Sequence, residues 1–292
     1  MRWWIGRLAD AARTRLRSGS TPRPFHGLRS AWDGQRLLTL TDAPCVCNIC
    51  GWTGDSFDGV EHSEAARCAG CGGIARDRFL FFCFTSRMPP ASYRVLETSP
   101  RLGEAYRQAM GRWLSYQASD FDQRSHRAAL RIDLQNVELD TGSLDVLLTP
   151  HVLEHVPDTG RALSEIHRIL VPGGRMYLQV PVLQGTTARP RTPEFHGDDT
   201  PVEWRFGPDL SVRLRDHGFE TRLLCTREFY DLVAAGARRW PEPTAPEFDV
   251  ASILAMVRLA DLEPIADREV SRRLAFRPAY MFLTWEAIRV ER

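Results

Sequence analysis

The chain has 292 residues, 43% of them hydrophobic and 26% charged, with a net charge of +1. That balance argues against a disordered chain and gives no general electrostatic reason to expect nucleic acid as a partner. No stretch approaches the roughly 18 consecutive apolar residues of a transmembrane helix, and no apolar signal-peptide core opens the sequence, so a cytoplasmic location is expected.

Residues 1–40 hold eight Arg against Asp10 and Asp33. The chain contains no Lys, so all 38 basic residues are Arg and lysine chemistry is excluded. Residues 3–17 (WWIGRLADAARTRLR) place Ile5, Leu8, Ala12 and Leu16 on one helical face. Such a helix either packs on the body of the protein or docks on a membrane surface or a protein partner. The Ser-, Pro- and Gly-rich residues 18–44 read as a linker, which makes 1–44 a basic helix and linker.

Residues 45–80 form a cysteine module. Cys47, Cys50, Cys68 and Cys71 follow a C-x2-C-x17-C-x2-C spacing, with Gly51, Gly72 and Gly73 after the pairs. The spacing predicts a zinc ribbon, and four thiolates complete a tetrahedron, which makes the metal structural rather than catalytic. Disulfides are the alternative, disfavoured in a reducing compartment. Cys45 is a possible substitute ligand, whereas Cys83 and Cys225 lie in apolar surroundings and read as core.

From residue 90 to 292, apolar strands alternate with amphipathic helices, the pattern of βαβ units around a parallel sheet. Strands are expected at 93–97, 114–118, 129–132, 144–148, 175–180, 219–224 and 279–288. Helices are expected at 103–110 and at 159–170, the latter stopped by Pro172-Gly173-Gly174. An insert at about 226–277 carries a Pro-rich stretch and a helix at 250–262.

The strongest signal is His151-Val-Leu-Glu-His-Val-Pro-Asp158, continued by a helix, a Pro-Gly-Gly turn and the strand Arg175–Val180. This block resembles the strand-four to strand-five region of class I S-adenosylmethionine-dependent methyltransferases. Zinc knuckles, the exit Ile74-Ala-Arg-Asp-Arg78, "RVLETSP" and "HVLEHV", in that order, resemble a bacterial zinc-ribbon group of that family. The resemblance implies an α/β fold: a Rossmann-like seven-stranded sheet behind an N-terminal zinc ribbon. It also implies S-adenosylmethionine as cofactor beside the structural zinc. One departure is the loop Glu97-Thr98-Ser99-Pro100-Arg101-Leu102-Gly103, which lacks the close-approach glycines usual after strand one.

In such sheets ligands lie at the carboxyl ends of the strands. The expected cofactor contacts are therefore Glu97, Thr98 and Ser99 after strand one, Asp120 after strand two, Asp133 after strand three, and Pro150 and His151 after strand four. Helix-cap or turn roles are the alternatives for Asp120 and Asp133. His151 is equally a candidate general base, with His196, Asp198 and Asp199 as further catalytic candidates in the loop after strand five, where Glu194 and Trp204 also lie. His155 reads as a helix-end packing residue. The expected acceptor is a small molecule or sugar in a bacterial biosynthetic pathway, methylated on oxygen rather than nitrogen. RNA methylation is a rival reading, but Asp55, Asp58, Glu61 and Glu64 make the ribbon acidic where RNA would want it basic. A non-catalytic scaffold with an altered cofactor loop is the third.

Overall fold

A computed structural model describes residues 25, 27–59, 66–122, 128–196, 199–241, 248–276 and 283–291. The expected helix at 3–17 falls outside them. Among the described residues no helix is long and apolar enough to cross a membrane.

Among the described residues the first element is α1 (Asp33–Leu40), followed by a small antiparallel pair, β1 (Cys45–Val46) with β2 (Thr53–Gly54), and then α2 (Ala75–Arg87). The main sheet is built from β3 (Arg94–Thr98), β4 (Ser115–Asp120), β5 (Leu130–Arg131), β6 (Leu144–Pro150), β7 (Leu170–Gln179), β10 (Phe219–Thr226), β11 (Leu262–Ala266) and β12 (Thr284–Arg289). Its order is β11-β10-β12-β7-β6-β3-β4-β5. The strands from β7 to β5 are parallel, and β12 runs antiparallel between β7 and β10. Helices α3 (Glu104–Trp113), α4 (Thr159–Ile169), α5 (Leu210–Asp216), α6 (Arg227–Ala234), α7 (Val250–Met256) and α8 (Arg268–Arg273) connect or flank them. A short hairpin, β8 (Glu194–Phe195) with β9 (Pro201–Val202), follows β7.

Side-chain alternation sends each central strand into two separate cores. Val95, Leu148, Tyr177 and Leu224 join the phenylalanines of α2 on one face. Their neighbours Leu96, Leu147, Leu178 and Leu223 meet α4 and α5 on the other. Helices thus cover both faces, which explains the continuous apolar runs of the parallel strands. Asp158 caps α4, its carboxylate accepting from Arg161 N–H at 2.9 Å, while Ala162, Leu163, Ile166 and Ile169 turn to the sheet.

Three local readings change. Residues 18–44 are not a plain linker: α1 lies there, Ala31 and Trp32 are buried, and Trp32 Nε1 donates to Met88 O at 2.8 Å. Gly34, a linker signal in sequence, is instead a close approach, because a Cβ there would come within 1.8 Å of Asn48 O. The Pro-Gly-Gly segment does not separate helix from strand. Strand β7 starts at Leu170, and its register on β6 jumps from Leu144↔Leu170 to Val146↔Arg175, so Pro172–Gly174 loop out of the strand. Finally, the helix expected at 250–262 stops at Met256, and Leu262 opens β11. That eighth strand, added to the seven expected, pairs with β10 at the sheet edge, the position where its Pro264 is tolerated.

Candidate functional site

The four ribbon cysteines converge. Their sulfurs lie within 4.8 Å of one another, with Cys47–Cys71 at 3.7 Å and Cys50–Cys68 at 3.6 Å. Zinc–thiolate bonds of about 2.3 Å in a tetrahedron give sulfur–sulfur edges of about 3.8 Å, so the donor set fits that metal. Gly51 and Gly72 adopt φ of +79° and +74°, closing turns in which Gly51 N–H donates to Cys47 O and Gly72 N–H to Cys68 O, each at 2.8 Å. Gly70 and Gly73 then point N–H groups at the Cys68 and Cys71 sulfurs, at 3.3 and 3.4 Å. Cys45 stands apart from the cluster, its thiol facing Asp55 O at 3.6 Å. Cys83 and Cys225 are core residues whose thiols burial pushes up.

Arg78 links the cluster to the larger domain. It is fully buried, its guanidinium sits 3.7 Å over the Phe57 ring, and it donates to Gly73 O and Leu274 O at 2.9 Å each. Three of the ribbon thiols act electrostatically on it. Were a divalent ion held by four thiolates there, this buried cation would offset their surplus negative charge.

A crevice opens where the ribbon meets the carboxyl ends of β3 and β6. It is lined by Ile49 of the first knuckle, Asp77 of α2, Glu97, Arg101, Tyr106 and Pro150. Glu97 is buried, and its Oε2 accepts from Tyr106 Oη at 3.0 Å and Tyr116 Oη at 2.8 Å. Burial nevertheless pushes its pKa up to about 7. Two carboxyl groups and one guanidinium around one crevice suit a zwitterionic amino-acid moiety. The glycine-poor loop still makes the turn: Ser99 takes φ of +47°, and its N–H donates to Ser119 O at 2.7 Å. Thr98 points elsewhere, its hydroxyl donating to Thr149 Oγ1 at 3.1 Å and tying β3 to β6.

Asp120 ends β4 and is buried, with Oδ1 accepting from Asp122 N–H at 3.1 Å. Asp133 lies two residues past β5. Its Oδ1 accepts from Gln135 N–H and Nε2 at 2.9 and 3.1 Å, a turn arrangement that occupies this oxygen.

At the tip of β6, His151 adopts φ of +52°, its N–H donates to Gln179 O at 2.8 Å, and its Nε2 is buried without a hydrogen-bond partner. Positive φ at a non-glycine residue costs about 1 kcal/mol or more and clusters at functional sites. Burial first, then the nearby Arg76 guanidinium, holds His151 well below its ordinary value. Its Nδ1 faces Arg76 Nη1 at 3.5 Å and Glu154 Oε1 at 3.6 Å. Glu154, in the 3-10 turn Leu153–His155, is buried with neither oxygen hydrogen-bonded, and burial raises it to about 8. His155 is more than a packing residue: Nδ1 meets Pro201 O at 2.7 Å and its ring centroid lies 4.8 Å from that of His196.

Of the other loop candidates, Asp198 lies outside the described residues. Asp199 is exposed in the β8–β9 turn with φ of +63°, its N–H donating to His196 O at 3.0 Å. Glu194 is paired with Arg205 at 2.7 Å, and the Trp204 indole donates to Val156 O at 3.1 Å, so both brace the loop. Asp77, Arg101, Tyr106, Glu154 and Arg76 were not singled out in sequence. Four of them sit beside or within the quoted motifs, but nothing local marks their convergence.

Residues 97–178 match the family described as a methyltransferase domain. Over 49 residues the chain is 43% identical to an uncharacterised 37.1 kDa protein in transposon Tn4556 of Streptomyces fradiae. That alignment covers 17% of this chain and 14% of the relative, about a seventh of the relative's length. Solved structures similar to this chain include an S-adenosylmethionine-dependent methyltransferase from Mesorhizobium loti, with TM-score 0.37, 17% identity, and 49% of this chain and 82% of that one covered. The YcgJ protein of Bacillus subtilis gives TM-score 0.43 and 11% identity over 74% of this chain and all (100%) of its own. A Burkholderia thailandensis 1,6-didemethyltoxoflavin-N1-methyltransferase, solved with S-adenosylhomocysteine, gives TM-score 0.40 and 15% identity over 74% and 79%. The matched segment runs from β3 to β7 and includes the strand ends that form the crevice, so this part of the chain is similar to a methyltransferase domain.

Proposed function

We propose that this chain transfers a methyl group from S-adenosylmethionine to an oxygen of a small molecule or sugar, with a structural zinc held by Cys47, Cys50, Cys68 and Cys71. The observation that carries the reading is the gathering of Glu97, Asp120, Pro150 and His151 at the carboxyl ends of three adjacent parallel strands. When bound, the cofactor supplies a methyl group on a sulfonium.

This chain's own residues then do the rest. Glu97 and Asp77 hold the cofactor's ammonium, Arg101 its carboxylate, and Asp120 the ribose hydroxyls. His151 takes the acceptor's proton. That role requires the tautomer protonated at Nδ1, so the Arg76 Nη1 contact to Nδ1 at 3.5 Å must be given up to leave the lone pair on the buried Nε2. Positioning the acceptor in line with the sulfonium supplies the remainder of the rate.

Calorimetric titration with S-adenosylmethionine and S-adenosylhomocysteine tests the reading. Both should bind the wild type, and Asp120→Ala should weaken both by about 1–3 kcal/mol, the loss of a charged hydrogen bond. No binding of either ligand to folded, zinc-loaded protein would defeat it.

A further inference from the structure

We propose that Glu154, His155 and His196 form a second metal site, separate from the four cysteines, that takes a divalent first-row transition ion such as zinc. One ligand atom from each lies within 4.8 Å of the others. Glu154 is 2% exposed, and both of its carboxylate oxygens are buried without a hydrogen-bond partner. A native fold rarely leaves a carboxylate so placed unless something binds it. His155 Nδ1 approaches Pro201 O at 2.7 Å, so Nδ1 carries the ring proton and Nε2 carries the lone pair, 3.9 Å from Glu154 Oε1. A ring held by a carbonyl on one nitrogen, with the other turned toward a buried carboxylate, is the usual posture of a metal-bound histidine.

The third ligand is brought by the β8–β9 hairpin, which is nailed to the same 3-10 turn. Glu203 and Trp204 donate their N–H groups to Glu154 O at 2.8 and 3.1 Å. Within the hairpin, His196 N–H donates to Thr200 O at 2.9 Å, holding its ring beside His155. A shared ion about 2.1 Å from each ligand would draw these atoms to about 3–4 Å apart. Rotation of the exposed His196 side chain supplies that closure. Two imidazoles and one carboxylate leave open positions, as in catalytic rather than structural sites. The site adjoins His151 at the tip of β6. Its use in binding an acceptor oxygen rests on the methyl-transfer reading, but its existence does not.

The test reads occupancy. Full-length protein retaining its cysteine-bound zinc is treated with a mild chelator and then titrated with zinc chloride, and in parallel with cobalt chloride. The wild type should take up one further equivalent, and the added cobalt should show the visible bands of nitrogen and oxygen ligands without a thiolate charge-transfer band. Glu154→Gln and His196→Ala should each weaken that uptake at least tenfold while the thiolate-bound zinc and the circular dichroism stay as in the wild type. If Glu154→Gln does not fold, His196→Ala, on an exposed hairpin, decides alone. No uptake by the wild type, thiolate bands on the added cobalt, or uptake unchanged by the substitutions overturns the proposal. None of these outcomes alters the binding of S-adenosylmethionine on which the methyl-transfer reading stands.

Discussion

Arg76 Nη1 lies 3.5 Å from His151 Nδ1, so the first turn of the helix leaving the ribbon touches the tip of the strand that matches the methyltransferase domain. If His151 is the base, His151→Ala should leave cofactor affinity nearly unchanged and slow single-turnover methyl transfer by about 10²–10⁴-fold. Collapse of cofactor binding in that variant would make His151 a binding residue instead.

Purified protein should carry one tightly held zinc, and Cys50→Ser should release it together with the ribbon's fold, since binding and folding are coupled in such sites. Arg78→Met keeps much of the buried volume but removes the charge beside the thiolates. It should lower zinc affinity by about 10–100-fold, as losses around metal ligands do. Competition against a chromophoric chelator measures both, and wild-type affinity in Arg78→Met would show that the buried charge does not matter to the metal.

Glu97 titrates at about 7 in the folded chain against an ordinary 4.5, because burial outweighs its two tyrosine donors. Between those values the folded state binds more protons than the unfolded one, so stability falls as pH rises from about 4.5 to 7 and is flat above. The shift amounts to about 3 kcal/mol. Glu97→Gln should flatten that slope and raise stability above pH 7 while weakening S-adenosylmethionine. Urea unfolding at pH 5 and pH 8 checks the sign, and an unchanged slope in the variant would locate the titration elsewhere.

Glu286 is fully buried on β12, accepting from Arg87 Nε at 3.0 Å and Tyr177 Oη at 3.1 Å and pairing closely with Arg175. Removing it leaves two guanidinium groups facing a vacated pocket. Glu286→Ala should cost about 3–5 kcal/mol, and Glu286→Gln less, in denaturant unfolding monitored by tryptophan fluorescence. A loss below about 1 kcal/mol would mean that the arginines reach water unaided.

Where the signal was periodic and local, the sequence could be read. Val95–Leu96 and Leu147–Leu148 are apolar on both faces because helices cover both, and the cysteine spacing contains its own geometry. Strand β11 stayed hidden because Pro264 argues against a strand unless the edge position is known. Helix α1 hid behind Gly34, whose reason is the Asn48 backbone rather than chain flexibility. The meeting of Glu154 and His155 with His196 depends on a hairpin docking from some 40 residues away, bonded through main-chain groups that no side-chain pattern encodes.

Arg273 donates to Leu38 O, Thr41 O and Ala43 O at 2.5, 2.6 and 3.1 Å, across 235, 232 and 230 residues of sequence. On a ribosome, which delivers the amino end first, the cysteines at 47–71 are available for metal long before this arginine exists. The carbonyls that end α1 must wait, solvated, for almost the whole chain. A metal held by the cysteines would therefore be bound early, but the seam between their module and the main sheet is sealed last, and a nascent chain stalled before α8 would present an open edge to chaperones and proteases.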